Sequence, residues 1–299
     1  MGRARAVLPR VASISAALFL TKCLVYIRRT FRHDAREGVG LTEAVLFSVK
    51  DGIGRIELNR PEQGNAIGAE LGDGLCEVVQ AAAAAPDLRV LILSGRGEAF
   101  CVGGDIKRSM ADIDALPRTL ADSLARLNAM VSQLVELPVP VIAAVNGPLG
   151  GGGIGLALAA DLVIAADTAK LRGGYTAIGL TPDVGVSALL LRRAGMARAK
   201  RILFLNESLK AETCLEWGLF DEVVPAGALE ERVTALAGRL ASAATGAIGR
   251  TKALLHAAEN QGLDAQLAAE RRAMAASGAG AEAREGIKAF QEKREPAFK

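Results

Sequence analysis

The sequence predicts an α/β fold whose strands pair in parallel through helical crossovers. Three observations carry this. Residues 89–93, 139–145 and 161–166 are short, nearly unbroken apolar runs, the pattern of buried strands. Helical patterns rich in small residues separate them, and strand-helix-strand order at this spacing needs crossovers. Half of the chain is apolar (51%) while only 4% is aromatic, and 33 residues are glycine, as in a close-packed α/β protein. A length of 299 residues allows one large domain or a domain with an appendage.

The elements follow in order. Residues 45–50 and 53–58 flank Asp51-Gly52 with alternating faces, which predicts a hairpin. A polar turn spans 59–66, and a helix over 69–85 ends before Pro86. Strand 89–93 closes at Ser94-Gly-Arg-Gly97, and residues 106–137 are helical with a break at Pro117. A strand ending near Val145, a glycine run, a helix over 154–160 and a strand over 161–166 form the centre. A long loop, 173–187, contains a single acid, Asp183. Helices over 189–205 and 211–217 precede a short strand within 218–225. From 228 onward the pattern is three helical pieces broken at Gly246 and Gly278, with faces suited to packing against another element or subunit.

Two glycine loops attract the functional reading. Asn146-Gly-Pro-Leu-Gly-Gly-Gly-Gly153 stands between a strand and a helix, where bare backbone lets a ligand approach and unpaired N–H groups favour an anion. Gly150-x-Gly152-x-x-Gly155, with Asp167 after the next strand, also satisfies a dinucleotide fingerprint. Tight strand-helix packing without a ligand is the third reading. The second loop, Ala99-Phe-Cys-Val-Gly-Gly-Asp-Ile106, repeats the construction before another helix. Two such loops are what an oxyanion hole of two backbone donors requires, which turns the balance away from the dinucleotide.

Composition excludes other classes. A net charge of +3 gives no case for nucleic acid. Four scattered cysteines offer neither metal spacing nor a disulfide framework, and two histidines, His33 and His256, restrict imidazole chemistry. Residues 1–33 carry arginines and lysine but no acid, around an apolar stretch that is marginal as a membrane span. Two readings stay open for this extension (1–43): a mere upstream addition to a cytoplasmic protein, or a segment for organellar targeting or membrane association.

These residues resemble the crotonase (enoyl-CoA hydratase/isomerase) superfamily. Asn59-Arg-Pro61, Ala99-Phe100 with Gly103-Gly-Asp-Ile106, Ala143-Ala-Val-Asn-Gly147 with its glycines, and Gly218-Leu with Asp221-Glu-Val-Val-Pro225 match in order. The resemblance implies a spiral of ββα turns over 44–240 and a C-terminal helical region, 241–299, that assembles trimers or hexamers. It implies acyl-CoA thioester substrates, an enolate held by the N–H groups of Gly104 and Gly152, and no NAD, metal or other prosthetic group. By position it places substrate contacts at Ala66, in the adenine-binding turn, and at Lys107, for which an exposed helix lysine is the plainer reading; Tyr175 is read either as lining the acyl pocket and orienting substrate through its hydroxyl or as a packed loop tyrosine.

The departures matter as much. The family's hydratases activate water with two glutamates, and the motif puts these at Gly155 and Tyr175, neither a carboxylate. Asp183, in Thr181-Pro-Asp-Val-Gly185, is the acid left in the pocket loop, although Asp after Pro is also a common turn residue. One carboxylate suits a 1,3 proton shift, so the expectation is enoyl-CoA double-bond isomerisation with Asp183 as acid and base. An enoyl-CoA hydratase and a non-catalytic acyl-CoA-binding member of the family are the alternatives.

Overall fold

The computed structural model describes residues 43–106 and 112–298. The 1–33 segment and Lys107 lie outside these residues. The chain opens with β1 (Val45–Lys50) and β2 (Ile53–Leu58), antiparallel across Asp51-Gly52, both of which adopt the positive φ such a turn needs. Next come α1 (Ala69–Ala84), β3 (Val90–Gly95), α2 (Leu116–Glu136), β4 (Val141–Val145), β5 (Leu149–Gly150) and α3 (Gly152–Leu158). After β6 (Leu162–Ala166) and β7 (Lys170–Arg172) follow α4 (Val186–Leu205), β8 (Leu209–Lys210), α5 (Ala211–Glu216) and β9 (Glu222–Val224). Four helices close the chain: α6 (Leu229–Ala241), α7 (Thr245–Ala258), α8 (Leu263–Gly278) and α9 (Ala281–Glu292).

The main sheet has the order β1-β2-β3-β4-β6-β9, parallel throughout except for the opening hairpin. Alternate residues of its central strands enter two separate cores. Leu91, Leu93, Val141, Ala143, Val145, Val163 and Ala165 face the larger core with α1 to α4. Val90, Ile92, Ile142, Ala144 and Ile164 face Leu229, Val233 and Leu236 of α6. Both faces are covered, which is why these strands read as continuous apolar runs rather than alternating ones.

Several local expectations are corrected. Of the helix predicted over 106–137, residues 107–111 lie outside the described residues; the interruption falls at 112–115, and Pro117 occupies the first turn of α2, where its missing N–H costs nothing. The C-terminal region holds four helices, not three pieces. Gly246 lies inside the first turn of α7, and Gly262 supplies the additional break before α8. A second sheet, β5-β7-β8, has strands of two or three residues, too short to show a period in sequence. Asp167, the acid of the dinucleotide fingerprint, accepts the Ala226 N–H at 3.1 Å and ties the end of β6 to the segment after β9.

The C-terminal helices are fastened to the sheet by polar groups. Lys252 of α7 is buried, and its Nζ donates to Asp161 Oδ2 at 2.8 Å and to the Val139 carbonyl at 3.3 Å. Asp161 Oδ2 also accepts the Val141 N–H at 2.8 Å. Burial pulls the Lys252 ammonium below its usual range and the Asp161 charge opposes that shift. Among the described residues no helix is long and apolar enough to cross a membrane.

Candidate active site

The 99–106 glycine loop follows β3, which ends at Gly95, and is held by two buried or half-buried asparagines. Asn65, fully buried with φ 55°, donates from Nδ2 to the carbonyls of Arg96 (3.0 Å) and Ala99 (2.8 Å) and accepts Arg60 N–H through Oδ1 at 2.8 Å. Asn146 donates to the Gly97 carbonyl at 2.9 Å. The loop then pairs with Ile67 in parallel fashion: Ile67 N–H donates to Gly103 O (2.7 Å) and Asp105 N–H to Ile67 O (3.1 Å). In a parallel bridge the residue between the two bonds turns its own N–H to the other side. Gly104 is that residue, so its amide faces away from Ile67.

The 146–153 glycine loop passes through β5. Gly150 N–H donates to the Cys101 carbonyl at 3.0 Å, so the two glycine loops are hydrogen-bonded side by side. A Cβ on Gly103 would stand 2.9 Å from Gly150 O, and one on Gly153 only 2.1 Å from Cys101 O. Side chains at either position would drive the loops apart. Gly152 is the first residue of α3, so its N–H has no partner four residues back in the helix. A Cβ on Gly151 would lie 4.0 Å from Gly104 N and 3.9 Å from Tyr175 Cζ, so both loops and the tyrosine meet at one point.

Asp183 closes the site from the third side. Tyr175 Oη donates to Asp183 Oδ1 at 2.5 Å, and that oxygen stands 3.6 Å from where a Cβ of Gly152 would be. Burial pushes the Asp183 carboxyl above the usual carboxylate range, and the tyrosine hydrogen bond partly opposes this. Burial and then the neighbouring Asp183 charge push the Tyr175 hydroxyl up strongly, so it stays protonated and donates. Cys101 is buried and its thiol is pushed up to about 12 by burial, which removes it as a nucleophile.

The residue after Asp183 is unusual. Val184, buried, holds φ 49°, a left-handed conformation that is an outlier for a β-branched side chain and costs about 1–3 kcal/mol. Its carbonyl oxygen lies 2.1 Å from the place a Cβ on Gly155 would occupy. The position that the family motif assigns to a glutamate therefore has no room for any side chain while this loop stands.

These groups line one cavity of about 800 Å³. Ala66, Gly104, Gly152, Tyr175 and Asp183 all border it. Leu71, Leu120, Leu124 and Leu127 from α1 and α2 give it an apolar wall, and Arg60 and Arg126 stand on the same boundary, paired with Glu70 and Asp73. Tyr175 does line the cavity, but its hydroxyl is engaged with Asp183 and is not free to orient a ligand by itself. Sequence reasoning missed Asn65, Asn146 and Val184. The first two follow turn signals that gave no hint of their distant partners, and a valine carries no mark of a positive φ.

A parallel sheet covered on both faces, with an apolar cavity between two paired glycine loops, is the architecture of the crotonase fold. An enoyl-CoA hydratase of Polaromonas sp. JS666 superposes with a TM-score of 0.81 at 33% identity, covering 85% of this chain and 99% of that one. An enoyl-CoA hydratase of Bacillus anthracis gives 0.81 at 30% identity over 86% and 99%. A family model described as Enoyl-CoA hydratase/isomerase matches residues 48–299. The 1,2-epoxyphenylacetyl-CoA isomerase of Escherichia coli K12 is 38% identical over 86% of this chain and 99% of its own length. A Rhodobacter capsulatus protein carrying the name Probable enoyl-CoA hydratase is 37% identical over 85% and 97%. The chain belongs to the enoyl-CoA hydratase/isomerase family.

Proposed function

We propose that this protein isomerises the double bond of an enoyl-CoA thioester through an enolate, with Asp183 moving the proton. The observation that carries the reading is the Asp183 carboxylate, half-buried beside Gly152 and held by Tyr175. The thioester carbonyl accepts hydrogen bonds from the N–H groups of Gly104 and Gly152, which stabilise the negative charge formed when Asp183 removes a proton from C2 of a 3-enoyl thioester. The resulting dienolate is protonated at C4 by Asp183, whose proton exchanges with water between the half-steps, leaving the 2-enoyl thioester and a regenerated carboxylate. A carboxyl raised by burial is a stronger base than an exposed one, and one group serves both half-steps. Ala66 and Lys107 are proposed to contact the CoA portion. Exposed Leu263, Met274 and Phe290 on α8 and α9 support assembly through the C-terminal helices, as a trimer or a multiple of one.

Hydration needs a base on water together with an acid for the α-carbon, and neither Gly155 nor Tyr175 supplies a carboxylate. A hydratase nevertheless remains the second reading, because relatives of closely similar identity carry either name. Purified protein given 3-enoyl-CoA and 2-enoyl-CoA thioesters separately decides between them. Conversion of the 3-enoyl thioester without formation of 3-hydroxyacyl product supports isomerisation. Hydration of the 2-enoyl thioester as the faster reaction overturns it.

A further inference from the structure

We infer that Gly155 and Val184 are positioning residues which together hold the Asp183 carboxyl against Gly152 and the Tyr175 hydroxyl. The inference rests on the proposed role of Asp183 for its meaning in catalysis, but its geometry stands alone. Val184 follows Asp183 directly and adopts φ 49°. Its carbonyl oxygen occupies the space of a Cβ at Gly155, 2.1 Å away, and its Cγ1 lies 3.2 Å from the same point. Its Cγ2 lies 3.2 Å from where Gly152 would carry a Cβ. The valine is thus wedged between two glycines of α3, one on the catalytic face and one a turn further along the helix.

Downstream, the turn is closed by its own hydrogen bonds: Val186 N–H donates to Asp183 O at 2.9 Å and Leu189 N–H to Gly185 O at 3.0 Å. With the carbonyl seated against Gly155, the Asp183 side chain leaves the turn toward Tyr175 Oη and Gly152. Any side chain at 155 pushes the Val184 carbonyl outward, rotates the peptide it belongs to, and carries the carboxyl away from the oxyanion donors. A shift of about 1 Å in a reacting group costs roughly 10²-fold in rate. Position 155 therefore acts on the reaction through Asp183.

The test uses two variants of the full chain, Gly155→Ala and Val184→Gly. Glycine accepts many backbone conformations, so Val184→Gly removes the Cγ1 and Cγ2 contacts with α3 and frees the turn to leave the conformation that holds its carbonyl against Gly155. The Asp183 carboxyl is titrated by ¹³C NMR in ligand-free protein labelled at aspartate, assigned against Asp183→Asn, and proton exchange of 3-enoyl-CoA in D₂O is measured in parallel. Each folded variant is expected to move the Asp183 titration back toward the ordinary carboxylate range and to lower kcat for exchange roughly 10²-fold with little change in KM. An Asp183 titration unchanged in the folded variants overturns the positioning role, whatever the activity. If Gly155→Ala does not fold, Val184→Gly alone decides by the same criterion. Because the titration needs no substrate, a shift seen in a protein that exchanges no proton would sink the isomerase reading and leave the positioning role standing.

Discussion

Tyr175 Oη and Asp183 Oδ1 lie 2.5 Å apart, and the tyrosine is the donor. Burial raises both groups, but the hydrogen bond acts on Asp183 in the opposite direction to burial. Tyr175→Phe removes that opposition, so the carboxyl rises further. Proton abstraction requires ionised Asp183, hence the acid limb of the kcat profile moves to higher pH. Below that limb the variant loses about tenfold in rate, the scale of one hydrogen bond to a charged group, and above it the rate recovers. A pH-rate profile of Tyr175→Phe with its acid limb in the native position contradicts this.

The same burial makes Asp183 a stability liability. The folded chain retains a proton there after the unfolded chain has lost its own, because the folded value is raised. Stability therefore falls as pH rises from the ordinary carboxylate range through the raised folded value. Asp183→Asn removes the buried charge while keeping an acceptor for Tyr175. Urea denaturation at pH 8 should find this variant more stable than the native protein, and the gain should vanish below the ordinary carboxylate range. Activity should fall by about 10²–10⁴-fold, the usual contribution of a general acid-base group. A variant less stable at pH 8 would show that the charge is well solvated.

Restoring a glutamate at 155 should not restore a hydratase. The Val184 carbonyl fills the space of the Cβ, so Gly155→Glu displaces the Asp183 turn instead of adding a second working carboxylate. Isomerisation is expected to drop by roughly 10²-fold or more, with no hydration of 2-enoyl-CoA gained. Appearance of 3-hydroxyacyl-CoA in that variant would mean that the loop yields and that water has room beside it.

At the far end of the sheet, Lys252 ties α7 to Asp161 and to the Val139 carbonyl. Lys252→Met leaves Asp161 without its cation but still bonded to Val141 N–H, and Asp161 is 25% exposed at its side chain. The expected cost is about 2 kcal/mol, below the full penalty for a broken buried pair. The kcat for the proposed isomerisation should not change. A loss of kcat without a loss of stability would instead connect this pair to the site.

How much of this was legible in the sequence follows from the range of the forces involved. The parallel strands and their glycine loops were readable because burial on two faces leaves continuous apolar runs and because backbone-to-backbone contact demands glycine, as at Gly103 and Gly153. Asp183 stood out as the one acid of its loop. Its partner did not: the 2.5 Å bond from Tyr175 depends on how a loop folds over α3, and no local pattern encodes that. Val184 was invisible for the same reason, since tertiary packing overrides the conformational preference of valine there. The interruption near Pro117 was readable but its exact place was not, because proline both ends and begins helices and the non-helical residues 112–115 precede it.

The most direct test of the central claim is deuterium incorporation from D₂O into a 3-enoyl-CoA thioester, compared between the native protein and Asp183→Asn. Isomerisation with deuterium entering at C2 and C4, reduced by at least about 10²-fold in Asp183→Asn, is the predicted result. Isomerisation and exchange that continue at the native rate in Asp183→Asn would show that another group moves the proton, and the assignment of Asp183 would fall.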